Sequence, residues 1–528
     1  MKRKLSLLLV IAMLIAALAG CGGSEPAAKT ESPSSASSDA SAPAEAAAPS
    51  RTDVNVSINK ALTTLDPHGQ SLLQDNVVIW QVFSGLLHFN ELTGSAEPDL
   101  AESYEVNEDG TVYTFKLREN IFFHNGDPVT AADVAFSIKR CMDPAMGRSM
   151  YTAAIQDVVA VDDKTVEITL KAPSAPFLGN ISYVFIINEK ELNEQGAEFG
   201  TKPISGTGPY KVVELDADQK IVLEAFDKYY KGEAAIKTVN FHIVTDSSAG
   251  MISFESGDLD WYSCSATDFA RLQGDPKFNT ESVAANHCTY IALNPNANDA
   301  LANEKVRQAI AYAINKEELN YAAFDGMGAS ADFIFNPNMN VGAPGDGFYY
   351  EYNPEKAKEL LAEAGYPDGV NVGNLLCFTG SHFEVCATTI QAQLAQVGIQ
   401  CELEWNEQGV ALTRGTNSEF DMIVSGFAAG GDYDEIRKRT HTTMSSAYID
   451  YSETDYDWQW MDNTLDTAST LVDPAERLEM NREYNDYLMN TATQLPLVHK
   501  CVTFAWDADL NVGANRHTNP IIYDWSWN

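Results

Sequence analysis

Ser381, His382 and Glu384 fall within six residues, TGSHFE (379–384). A hydroxyl, an imidazole and a carboxylate are the parts of nucleophilic hydrolysis. Their closeness argues against it, because triads usually gather their members from distant loops. His382 is expected instead in a loop or at the start of a helix. Other catalytic signatures are missing: no G-x-S-x-G, HExxH, P-loop or G-x-G-x-x-G occurs. The nine histidines, at 68, 88, 124, 242, 287, 382, 441, 499 and 517, include no two at a short metal-ligand spacing. Seven cysteines follow Cys21: Cys141, Cys264, Cys288, Cys377, Cys386, Cys401 and Cys501. Their number is odd and no CxxC occurs, so neither a disulfide framework nor a zinc site is indicated. They read as small buried apolar groups. No catalytic residue, cofactor or metal ligand is expected, although distant residues that assemble only in the fold would escape this search.

Cys21 has a different setting. Lys2, Arg3 and Lys4 precede an almost unbroken apolar run from Leu5 to Leu18. That run suits a secretory signal and falls short of the roughly 20 residues of a membrane span. Leu18-Ala19-Gly20-Cys21 resembles a bacterial lipobox. The resemblance implies cleavage before Cys21 and a diacylglycerol on its thiol, so that the protein is anchored to the membrane without crossing it. Gly22 to Ser50 then contains 9 Ala, 8 Ser and 4 Pro, and no aromatic, Val, Ile, Leu or Met. Such a chain cannot bury enough apolar surface to offset its ordering entropy. It reads as a tether with a reach of about 30 Å.

The remaining body is too long for one core, and two or three lobes are expected. Seventy-four acidic residues stand against 35 Lys and Arg, a net charge of −39. That acidity argues against nucleic acid and anionic lipid head groups as partners, since both need basic surface. It reads as a solvated surface.

Strand and helix signals alternate along this body. TVYTFKLR (111–118) puts Tyr113, Phe115 and Leu117 on one face, after an Asp109-Gly110 turn that follows Tyr104 and Val106. TVEITLK (165–171) alternates similarly. Thr130 with Asp133 makes a capping-box-like start to a helix ending near Arg140. EKVRQAIAYAINKEEL (304–319) predicts one helix that stacks Val306, Ala309, Ile310, Ala313 and Ile314. NPEKAKELLAEAGYPDG (353–369) has Asn353 as cap, Pro354 in the first turn and Gly365 as stop. DPAERLEMNREYNDYLM (473–489) repeats the design. The pattern is a mixed α/β body without internal repeats.

Residues 97–140, EPDLAESYEVNEDGTVYTFKLRENIFFHNGDPVTAADVAFSIKR, resemble the signature region of the family 5 extracellular solute-binding proteins. SGTGPYKV (205–212), the two helices just quoted at 304 and 353, IQAQLAQVGIQCELE (390–404) and DPAERL…QLPLVHK (473–500) follow in the family's order. The resemblance implies a periplasmic-binding-protein-like, two-lobed α/β clam of type II, cluster C, with an extra domain and two hinge crossings, near 288–294 and 493–499. The implied division is a signal at 1–20, a lipidated Cys21 and tether at 21–52, a discontinuous lobe I (53–85, 200–285 and 495–528), an extra domain (86–199) and lobe II (286–494). The implied role is capture of short peptides on the outer face of the cell membrane, or its periplasmic side, and delivery to ABC permease subunits. The protein is expected to be a monomer and not an enzyme.

Site residues follow from the same resemblance. Peptide binders of the family carry an aspartate after a Gly-Trp-like step, and it pairs with the peptide's α-ammonium. FDMIVSGFAAGGDYDEI (420–436) offers Gly426-Phe427 as the step, Asp432 as the match and Asp434 as the alternative. A desolvated ammonium needs a nearby anion. Some oligopeptide binders also place an arginine just before the step, and here that position is Val424. Trp261 and Tyr262, in GDLDWYS (257–263), match a turn that opens onto the cleft, and Tyr290 lies on a hinge strand. Core packing is the competing role for all three, and one of Trp261 and Tyr262 is expected to take it. His382 completes the candidates. The alternatives are an oligosaccharide, a nickel chelate or an opine-like solute, a lipid-anchored hydrolase, and a receptor that feeds signalling.

Overall fold

The computed structural model describes residues 51–69, 75–90, 94–335, 349–379, 381–428, 432–444, 448–513 and 519–528. Cys21, the tether and Gly430-Gly431 lie outside them. One eleven-stranded sheet organises the body. Its strands are β1 (Asp53–Ile58), β2 (Tyr210–Asp216), β3 (Lys220–Ala225), β4 (Thr238–Ile243), β5 (Trp261–Cys264), β6 (Phe278–Leu293), β7 (Ala329–Ser330), β8 (Val370–Phe378), β9 (Ile399–Asn406), β10 (Met422–Ala428) and β11 (Gln494–Asp507). The order is β9-β8-β10-β6-β11-β5-β1-β4-β3-β2, with β7 paired to β11. Pairing is parallel for β1 with β4 and β5, and for β8 with β9 and β10. It is antiparallel around β6 and β11.

Those two long strands join the lobes. Phe278–Ala284 of β6 pairs with Cys501–Asp507 of β11 beside the β1–β5 side, and Cys288–Ala292 pairs with Gln494–His499 beside β8–β10. The register breaks between Ala284 and Cys288, where the sheet passes from one core to the other. The stretch Tyr290–Leu293 is buried at every position, as expected of a strand covered on both faces. Lobe I has cores around Val54, Phe241, Trp261 and Trp506, and around Phe254, Tyr262 and Phe269. Lobe II has one core, running in sequence from Cys288 to Val498. A third body has its own core, from Leu86 to Ile186. It is built on a four-stranded antiparallel sheet ordered Ala101–Val106, Val112–Leu117, Thr165–Leu170 and Ile155–Ala160. Tyr113, Phe115 and Leu117 are buried there, and Gly110 turns the hairpin at a φ of 68°.

The helices that matter below are α1 (Asn76–Val82), α2 (Ala131–Cys141), α3 (Glu304–Ala313), α4 (Lys316–Phe324), α5 (Pro354–Glu363), α6 (His382–Gln396), α7 (Asp434–Thr440) and α8 (Pro474–Thr491). The capping box of Thr130 and Asp133 forms at α2, and Asn353 and Asp473 cap α5 and α8. The single helix expected over 304–319 is two helices. Ile314 is extended and the Asn315 side chain accepts from the Glu318 amide, so a cap interrupts an otherwise continuous apolar stripe. Among the described residues the seven cysteines form no disulfide, and no helix is long and apolar enough to cross a membrane.

Three histidines away from α6 are held neutral by burial. His68 Nε2 donates to the Phe185 carbonyl at 2.7 Å, and its Nδ1 is buried without a partner. His124 Nδ1 accepts from the Gly206 amide at 3.1 Å while Nε2 donates to the Gly208 carbonyl. His499 is buried on β11. Burial is the largest cause that pulls all three down to about 4. A depressed histidine stabilises the fold fully above the unfolded value of about 6.5, and that contribution is lost as pH falls from there toward 4. Thermal unfolding across pH 7.5 to 4.5 is expected to show a melting temperature that falls below pH 6.5. His124→Gln is expected to flatten part of the fall, and an unchanged profile in that variant would contradict the assignment.

Candidate functional site

The extra domain and lobe II meet directly, with the Ala175 amide donating to the Ser469 carbonyl at 2.8 Å. Beside this contact is a cavity of 270 Å³. Phe89, Tyr104 and Leu178 line it from the extra domain, and Asp432, Arg477 and Asn481 from lobe II. Strand β10 delivers the chain to this point. It runs antiparallel to β6, with Tyr290 opposite Ser425 and Cys288 opposite Phe427, and α7 follows two residues after Asp432.

Asp432 is already engaged. Its Oδ1 and Oδ2 accept from the Arg477 guanidinium at 2.5 and 2.7 Å, and Oδ1 also accepts from the Asp434 amide at 2.8 Å. Arg477, in the first turn of α8, uses Nε on the Ala468 carbonyl. A two-pronged pair of this kind fixes both side chains. A ligand ammonium at Asp432 would therefore share a carboxylate that guanidinium already holds. Burial first, and the neighbouring Asp432 carboxylate second, push the Asp434 carboxyl above its ordinary value.

A second group lies where β6 and β10 meet α7. Tyr290 is 1% exposed, and burial pushes its hydroxyl upward. Its ring centre is 6.4 Å from that of Tyr448. Arg439 donates to the Tyr290 hydroxyl at 3.2 Å, with its guanidinium 5.1 Å from the Phe427 ring centre and 5.3 Å from that of Tyr448. Phe427 and Tyr290 thus belong to one cluster. His382 is the first residue of α6, and its Nε2 faces Thr289 Oγ1 at 3.3 Å. Its ring lies 6.2 Å from His287, and burial pulls it down to about 4. Ser381 serves as the residue before α6, with its carbonyl accepting from the Glu384 amide. The three residues of TGSHFE are thus arranged as a helix start.

Trp261 and Tyr262 sit apart from this region. Trp261 packs on Phe504 at 4.7 Å and Trp525 at 6.2 Å in the lobe I core. Tyr262 lies in the adjoining core, and its hydroxyl donates to the Ser247 carbonyl at 2.9 Å. Neither lines the cavity between the extra domain and lobe II. Residues that sequence reasoning missed are Arg477, Arg439, Tyr448 and the extra-domain wall. One signal for Arg439 was available: RKR (437–439) is a basic run in a strongly acidic chain.

The family model for bacterial extracellular solute-binding proteins, family 5, matches residues 95–446. The chain is 29% identical over 455 residues to heme-binding protein A of Haemophilus influenzae, covering 79% of this chain and 82% of that protein. It is 29% identical over 454 residues to the dipeptide-binding protein of Escherichia coli K12, covering 80% and 84%. Among solved structures, HbpA2 from Haemophilus parasuis superposes with a TM-score of 0.82 at 27% identity, over 90% of this chain and 100% of that one.

Proposed function

Because the chain belongs to the bacterial extracellular solute-binding proteins of family 5, we propose that it captures short peptides between its lobes and delivers them to the permease subunits of an ABC importer. It acts as a monomeric binder, not a catalyst, and Cys21 carries the lipid that holds it to the outer face of the membrane. Lobe I comprises 53–85, 200–285 and 495–528, the extra domain 86–199 and lobe II 286–494. The supporting observation is the cavity between the extra domain and lobe II with an acid in its wall. Asp432 meets the peptide's ammonium beside Arg477, Asp434 adds negative charge behind it, and Phe427, Tyr290 and His382 border the crossing strands. The likeness to a dipeptide-binding protein supports the same reading.

A non-peptide solute is the second reading, and the Asp432–Arg477 pair favours it, because a carboxylate so held is a weaker ammonium receptor. Native mass spectrometry of the purified protein, followed by a thermal-shift screen with short peptides, oligosaccharides and Ni²⁺ chelates, separates the two. Bound peptide masses with matching stabilisation are expected. Stabilisation by sugar or metal chelate alone would overturn the peptide reading.

A further inference from the structure

The extra domain holds lobe I and lobe II in two different ways. Toward lobe I its contacts are charged and largely buried. Arg140 donates to both oxygens of Asp66, at 2.9 and 2.6 Å. Arg148, 3% exposed, donates to the Asn76 side chain. Parting such groups strands a buried charge, so the extra domain travels with lobe I. Toward lobe II the contact is made by backbone and apolar groups. The helix Trp458–Thr470 ends there, and its last carbonyls need donors from outside the helix. Thr467 takes the Leu471 amide and Ala468 takes Arg477 Nε, both within lobe II. Ser469 takes its donor from the other body, the Ala175 amide at 2.8 Å.

The second part of the contact is a valine on a glycine. Asp109-Gly110 forms the tip of a hairpin, where exposure is the rule, yet Gly110 is buried. Val472 of lobe II covers it. A Cβ at Gly110 would fall 2.7 Å from Val472 Cγ2 and 3.5 Å from the Pro173 Cβ, so the missing side chain is what lets lobe II come so near. The turn is pre-shaped, with Asn107 Oδ1 accepting from the Thr111 and Val112 amides at 2.8 and 3.0 Å. Val472 is still 44% exposed and lies outside the lobe II core. Both contacts come apart cheaply. Water replaces the Ala175 amide on the Ser469 carbonyl, and Val472 leaves Gly110 without stranding a charge.

We propose that the Gly110 turn and the Ala175 segment form a latch, engaged without solute, that catches Val472 and the Ser469 carbonyl of lobe II. This rests on the reading of the chain as a cleft-binding solute receptor. The latch sets how much of the unliganded protein has its cavity walls together, and solute affinity scales with that fraction. Gly110 and Val472 do not line the cavity, whereas Ala175 and Pro474 beside them do. Affinity is thereby tuned by groups that do not meet the solute.

The test compares wild type with Val472→Asp, which sets a carboxylate against Glu108 and Asp109 of the turn. The control is Val410→Asp, at a lobe II valine of similar exposure, 48%. Without solute, Val472→Asp is expected to speed hydrogen exchange of the Ala175 amide by about tenfold or more. Its radius of gyration by small-angle scattering is expected to rise, while its melting temperature matches that of Val410→Asp. Val410→Asp is expected to keep wild-type exchange and radius. Wild-type exchange and radius in Val472→Asp overturn the latch. Exchange that quickens throughout lobe II with a lower melting temperature also overturns it, because the valine is then needed only for folding. With Ala-Ala-Ala as the probe, calorimetry is expected to show binding about three- to tenfold weaker in Val472→Asp and unchanged in Val410→Asp. A released latch with unchanged affinity overturns the link to binding. Failure of wild type to bind Ala-Ala-Ala counts against the peptide reading alone, and the solute-free comparison still decides the latch.

Discussion

Asp432→Ala is expected to weaken binding of a free-amino-terminus peptide by about 2–5 kcal/mol, since it removes one partner of a desolvated charge pair. The same change is expected to lower the stability of the unliganded protein by about 2–4 kcal/mol. The reason is Arg477, whose guanidinium makes two of its hydrogen bonds to Asp432 and is left half-buried without an anion. The two effects are separable. Adding Arg477→Ala to Asp432→Ala removes the stranded cation and should recover part of the stability without recovering peptide affinity. N-acetylation of the peptide should cost wild type far more than it costs Asp432→Ala. An affinity change below a few tenths of a kcal/mol by calorimetry, with the stability loss intact, would make Asp432 a strut between α7 and α8 and no part of the ligand site.

Gly206→Ala is expected to be among the most damaging single-methyl additions in the chain, destabilising it by about 3 kcal/mol or more. A Cβ at Gly206 would fall on the carbonyl oxygen of Val82, at the end of α1, with the Phe83 ring 3.0 Å away. Backbone cannot step aside as a flexible side chain can. The Gly206 amide and carbonyl also bond His124 of the extra domain, at 3.1 and 3.0 Å. Any shift that relieves the clash therefore strains the junction between lobe I and that domain. Gly208 repeats the arrangement, with Gln81 and Val82 backbone atoms 2.7 Å from its Cβ position. Thr201→Ala, exposed nearby, is expected to stay within about 0.5 kcal/mol of wild type. Denaturant unfolding measures both, and a Gly206→Ala protein as stable as Thr201→Ala would refute the close approach.

The motif SGTGPY shows what could be read in advance. Its order among the other motifs identified the family, yet only the fold reveals which carbonyl its first glycine meets. Local features were legible because short-range physics sets them. Alternation over 111–118 placed Tyr113, Phe115 and Leu117 inside. Thr130 with Asp133, Asn353 and Asp473 capped the helices they precede. The break at Asn315 was legible too, but a continuous apolar stripe outweighed one capping side chain in the reading.

What tertiary structure decided is which side chains find partners. Asp432 and Arg477 are 45 residues apart, and no periodicity or spacing shows that the proposed ammonium receptor is already held by guanidinium. Trp261 and Tyr262 sit on a turn whose pattern suits a cleft, but β5 is an inner strand of the sheet, and both rings pack into cores against Phe504 and Phe254. Arg439 is the sharpest case. Its sequence neighbours promise an ion pair at i−4, but Glu435 turns to Lys438, and Phe427, Tyr448 and Tyr290 close around the remaining cation. By itself the sequence determined the local elements, because burial patterns and caps are local, and the order of its motifs identified the family. Which charges pair, and with what, was decided in the fold, because pairing depends on every group within a few ångströms, most of them distant in sequence.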